Sequence, residues 1–178
     1  MKCDYCDIVE GIGKSQILHQ DSEIVIAIRD HVITPGQITV FPKKHYTIME
    51  LVPKKLLAKC AAIANKVSVA VFDGLGSQGT NILVQNGLGA GQKVPHFGID
   101  IVPRIENDGV NLQWEPTQLE EVTMDLVFKE LKKEASEFVK KGLAGKEEKE
   151  IIVDEGDTEI EVEEGKDNYL LKSLKRIP

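Results

Sequence analysis

The spacing of apolar and polar positions divides the chain into strand-like and helix-like stretches. Ile24, Ile26 and Ile28 alternate with Val25, Ala27 and Arg29, and the same period resumes through Ile38, Val40 and Pro42 after a Thr34-Pro35-Gly36 turn. Period-two alternation broken by a proline-glycine turn predicts short strands between residues 16 and 45. The period changes after Pro53. Leu56, Leu57, Cys60, Ile63, Ala64, Val67 and Val71 fall at i, i+3, i+4 spacing, which predicts a helix over 53–73 with a glycine-rich stop from Gly74 to Gly79. Residues 80–86 read as a further strand, 87–92 as a glycine loop and 94–102 as another strand. In that last strand His96, Gly98 and Asp100 share one face, while Phe97, Ile99 and Ile101 point the other way, into a core. A second helix is predicted over 117–141, with Thr117 as N-cap and Glu120 completing a capping box.

The pattern changes from residue 143. Ile151-Ile152-Val153 and Glu159-Ile160-Glu161-Val162-Glu163 flank Asp154-Glu155-Gly156-Asp157, which reads as a hairpin or as a solvated linker. Residues 169–178 are apolar and basic, too short to stand alone as a helix, and read as a docking segment. The expected organisation is therefore a main domain over 1–142 and an extension over 143–178.

Charge sharpens this division. The 178 residues carry a net −7, which argues against generic nucleic-acid binding, since phosphate neutralisation needs surplus Lys and Arg. Residues 1–145 hold 16 basic and 18 acidic groups, whereas 146–167 hold 3 basic and 11 acidic. The acidity belongs mostly to the extension. No apolar run is long enough to cross a bilayer, and no apolar leader follows Met1, so a cytoplasmic protein is expected. The three cysteines are Cys3, Cys6 and Cys60. In a reducing compartment Cys-x-x-Cys signals metal or redox work more often than a disulfide. Cys60 lies on the apolar stripe of the first helix and reads as core. His19 and His31 read as surface or packing residues, Lys54, Lys55 and Lys59 as a solvated helix face, and Trp114 shows no partner in the sequence.

The stretch Gly91-Gln92-x-Val94-x-His96, followed by Val102-Pro103-Arg104, resembles the signature of the histidine triad (HIT) family of nucleotide hydrolases and transferases. Cys3-Asp4-Tyr5-Cys6, Pro35-Gly36-Gln37-x-x-Val40-x-Pro42-Lys43-Lys44-His45 and Asn81-x-x-x-x-Asn86-Gly87 are similar to further segments of that family. The resemblance covers roughly residues 1–115. It implies an α+β fold, an antiparallel sheet of about five strands with two main helices, usually paired as a homodimer. It also implies zinc on Cys3, Cys6, His45 and His96, as in zinc-carrying members. The alternative is an empty reduced thiol pair with His96 a hydrogen-bonded sheet residue. For a nucleotide the resemblance implies contacts from Asn86, Gly91, Gln92, Lys93 and the position of Asp100. Without it, the glycine loop reads either as a phosphate nest or as a tight connection between strands.

The departures from the family pattern carry as much weight. The middle triad histidine, which attacks the α-phosphorus, is replaced by Gly98, and the third by Asp100. The histidine of the Gly-His turn is Gln37, and the ribose-binding carboxylate falls at Arg29 or, one residue late, at Asp30. Glycine offers no nucleophile for covalent chemistry. The expectation is a zinc-stapled protein that binds a purine nucleotide or nucleotide-like small molecule and has lost the nucleotidyl-histidine mechanism. Two rivals stand beside it: an atypical active nucleotide hydrolase or transferase, and a protein-interaction module acting through residues 146–178.

Overall fold

The computed structural model describes residues 3–112 and 114–143. The segments expected at 144–178 lie outside them. The described residues fall into two compact units, one running up to Val110 and one starting at Asn111.

In the first unit, α1 (Asp4–Val9) is followed by strands β1 (Gln16–Gln20), β2 (Ile24–Ile28) and β3 (Ile38–Pro42), helix α2 (Lys54–Leu75), and strands β4 (Gly79–Leu83) and β5 (Ile99–Arg104). The five strands form one antiparallel sheet in the order β1-β2-β3-β5-β4. The two alternating sets in β2 and β3 explain why both are apolar. Ile24, Ile38, Val40, Ile99 and Ile101 pack with Cys60, Ala64 and Val71 of α2 on one face. Val25, Ala27 and Phe41 pack on the other face with Cys3, Tyr5 and Ile8, in and beside α1. Strands covered on both faces read as nearly continuous apolar runs.

Helix α2 confirms the 3.6-residue period and ends at Gly76, whose left-handed backbone (φ 63°) caps it as glycine commonly does. Cys60 is fully buried, as expected. Lys59 is half-buried and paired with Asp21 at 2.8 Å and Glu23 at 2.9 Å.

Three boundaries differ from expectation. Strand β5 begins at Ile99, not 94. Pro95 has no N–H for a ladder, His96 N–H donates to the Val94 carbonyl, and Phe97 N–H donates to the Tyr46 carbonyl. Strand β4 ends at Leu83, three residues short of the predicted Asn86. Helix α3 (Glu121–Leu143), in the second unit, starts four residues after Thr117, so the capping box does not form. The Met124 N–H instead donates to the Glu120 carbonyl at 2.9 Å. A cap contributes about 1 kcal/mol, too little to fix a helix start by itself. Helix α1 has no sequence expectation: six residues are too few to show a period. Burial of Tyr5 and Ile8 holds it. No helix among the described residues is long and apolar enough to cross a membrane.

Candidate functional site: a four-ligand cluster beside a cavity

Cys3 and Cys6 lie at the start of α1, His45 follows β3, and His96 precedes β5. Their ligand atoms all fall within 4.8 Å of one another. Cys3 Sγ is 3.5 Å from His96 Nδ1, Cys6 Sγ is 3.7 Å from the same atom, and Cys6 Sγ is 3.4 Å from His45 Nδ1. The edges of a tetrahedron around zinc, with arms of roughly 2.0–2.3 Å, are about 3.5 Å, which these three separations match. The tautomer of His96 also fits. Its Nε2 lies 2.9 Å from the Pro42 carbonyl, which can only accept, so Nε2 carries the hydrogen and Nδ1 turns its lone pair to the sulfurs. Burial pushes the His96 pKa down to about 4 against the Pro42 bond, which keeps the ring neutral. Burial, then neighbouring Cys3, pushes the Cys6 thiol up to about 11.

The α1 face of the sheet also borders a cavity of about 710 Å³. His96, Gly98 and Asp100 all line it, so the alternation expected across 96–100 holds although only Asp100 is in a strand. Asp100, opposite Thr39 in the ladder, accepts from Thr39 Oγ1 at 2.5 Å and pairs with Arg29 at 3.5 Å. Arg29 Nε donates to the same Thr39 oxygen at 3.1 Å, and its guanidinium lies 5.4 Å from the centre of the Tyr5 ring. Tyr5 occupies the ground beside Gly98. A Cβ at position 98 would stand 2.8 Å from Tyr5 Cε2, 3.3 Å from Tyr5 Oη and 3.2 Å from Thr39 Cγ2. Burial, then the Asp100 charge, raises the Tyr5 phenol well above its ordinary pKa.

The other sequence-predicted residues are divided. Gln92 and Lys93 line the cavity; Asn86 and Gly91 do not. The Asn86 amide accepts from Met49 N–H at 2.9 Å and donates to the Glu50 carboxylate at 2.8 and 2.9 Å. Gln92 accepts from Gly87 N–H at 2.7 Å and donates to the Thr47 and Val94 carbonyls at 2.7 and 2.9 Å. His31, exposed, and Asp30 stand on the cavity rim. Sequence reasoning missed Tyr5 and Thr39. The signal for Tyr5 was an aromatic residue between two metal-type cysteines.

The description "HIT domain" matches residues 11–107, more than half of the chain. The chain belongs to the histidine triad (HIT) family. An uncharacterized HIT-like protein of Methanocaldococcus jannaschii is 33% identical over 131 residues, spanning 73% of this chain and 98% of the relative. An Arabidopsis thaliana protein named adenylylsulfatase HINT3 is 30% identical over 137 residues, 77% of this chain and 66% of that protein. Among solved HIT structures, a zinc-bound histidine triad family protein from Mycobacterium smegmatis aligns with a TM-score of 0.58 at 27% identity, covering 77% of this chain and 98% of that one. The HIT fold expected from the motifs is thus the fold found: five antiparallel strands with flanking helices.

Proposed function

We propose that this HIT protein binds a purine nucleotide or nucleotide-like small molecule in the cavity without forming a nucleotidyl-histidine. The observation that carries this reading is Gly98, glycine where the family nucleophile stands, with the Tyr5 ring in the space a side chain there would need. Removing the nucleophile of another covalent enzyme costs about a million-fold in turnover, and no other residue at position 98 could reach in without displacing Tyr5. The buried Tyr5 phenol is a poor replacement, because its raised pKa keeps the proton on.

Zinc belongs to the same reading. Cys3, Cys6, His45 and His96 would hold it, and its role there is structural: four protein ligands complete a tetrahedron and leave no open position for a reacting group. The four residues clip α1 to the ends of β3 and β5. A cytoplasmic homodimer completes the proposal, supported by family membership alone.

The test is direct. Purified protein should show a thermal shift with purine nucleosides or nucleotides and leave diadenosine polyphosphates and adenosine phosphoramidate intact. Turnover well above background would overturn the loss of catalysis. It would favour the second reading, an atypical hydrolase, for which the relative named adenylylsulfatase speaks. Sedimentation at micromolar concentration reads the dimer.

A further inference from the structure

We propose that the cavity selects a nucleoside over the same nucleoside carrying a 5′-phosphate. This rests on the reading that the cavity takes a nucleotide-like ligand, and it names which kind. The argument is one of charge and of spent backbone donors.

The cavity wall holds one half-buried cation and one buried anion, and they cancel. Arg29 and Asp100, with side chains 19% and 11% exposed, are paired with each other and tied together through Thr39. A carboxylate therefore already occupies the guanidinium that would otherwise receive an oxyanion. Asp4, Asp30 and the exposed Lys93 also line the cavity, with Asp30 Oδ1 3.1 Å from His31 Nδ1. Beside His31 and His96, the lining carries three carboxylates against the two cations Arg29 and Lys93, so its fixed charges leave no positive surplus for a dianion.

One side-chain donor in the lining is unpaired, the buried and uncharged Gln37 Nε2, which brings no charge to balance a dianion, whereas the backbone donors of the neighbouring glycine loop are spent. In the glycine loop, Gly87 N–H donates to Gln92 Oε1, and the N–H groups of Ala90, Gly91 and Gln92 donate to the Gly87 and Leu88 carbonyls. A phosphate nest needs those donors pointed at the ligand; here four of them close the loop on itself. A nucleoside meets the same wall on better terms. Its hydroxyls are donors, which carboxylates accept, whereas a phosphate at neutral pH brings acceptors and like charge.

The experiment is calorimetric titration of the full-length, zinc-loaded protein with adenosine, AMP, guanosine and GMP. The expected result is at least tenfold tighter binding of the nucleoside of one pair. Asp100→Asn, which removes the negative charge and frees Arg29, should tighten the monophosphate at least tenfold. A second measurement needs no variant: raising salt should leave monophosphate binding unchanged or strengthen it, because the charge being screened is repulsive. A monophosphate that binds as tightly as its nucleoside, or weakens steeply with salt, overturns the selectivity while leaving the binding function standing. Failure of all four ligands to bind overturns the function reading itself.

Discussion

At the scale of single residues, the site turns on Gly98 and Tyr5. The contact of 2.8 Å between a Cβ at 98 and the Tyr5 ring means that the family nucleophile cannot simply be restored. Gly98→His should therefore destabilise the fold by about 1–3 kcal/mol, the usual cost of overpacking, and produce no hydrolysis. Adding Tyr5→Ala should recover part of that loss, a coupling that urea denaturation of both single variants and the double variant would measure. Full additivity of the two changes would show that they do not share the space. The metal ligands make a second residue-scale prediction. Elemental analysis should find about one zinc per chain, and Cys3→Ser should lower that content and the unfolding midpoint together, since metal binding contributes folding free energy. Cys3 and Cys6 stood out as a metal-type Cys-x-x-Cys, and His45 and His96 joined them only through the resemblance to zinc-carrying HIT proteins. Tyr5 was not, because an aromatic residue in a short N-terminal segment announces burial without saying what it fills.

At the scale of elements, the corner after β5 is held by Arg104. Its guanidinium bonds Asp108 through Nε at 2.5 Å and Nη2 at 2.9 Å, reaches Asn81 on β4 at 2.6 Å, and also donates to the Val110 carbonyl. The Val-Pro-Arg motif thus closes the loop in which Asn107 takes a positive φ of 61°. The bonds from Arg104 hold the Asp108 carboxyl well below its usual pKa. A depressed carboxylate contributes stability that is present above its unfolded pKa, about 3.9, and is lost as pH falls. The sign follows because the unfolded chain takes up the proton first. Asp108→Asn should remove that share of the acid dependence, giving a flatter profile of unfolding free energy between about pH 2 and 5. An unchanged slope would show that the pair is screened by solvent. Regular elements were readable wherever a period repeated: α2 over six turns, β2 and β3 through alternation. The start of β5 was not, because Pro95 and Gly98 keep the side-chain alternation of a strand while withdrawing from its ladder. The start of α3 was not, because a capping sequence is a weak local preference.

At the scale of the whole molecule, the charge is divided along the chain. Residues 1–145 are close to neutral, with 16 basic against 18 acidic groups, and the acidic surplus follows them. If the HIT fold and its cavity are complete without that surplus, deleting residues 146–178 should leave zinc content and nucleoside affinity unchanged. Loss of either would assign the extension a part in the site.

One consequence of α1 reaches across these scales. Tyr5, which backs the cavity at Gly98, sits in the chain between Cys3 and Cys6. An ion held by the cysteines and an occupant of the cavity would both bear on this one short helix, which would couple their affinities. Whatever factor a bound ion adds to the affinity for the cavity's occupant, the occupant must return to the ion. Chelator titrations with the cavity empty and filled read that factor, a positive coupling raising the chelator concentration needed to strip the metal.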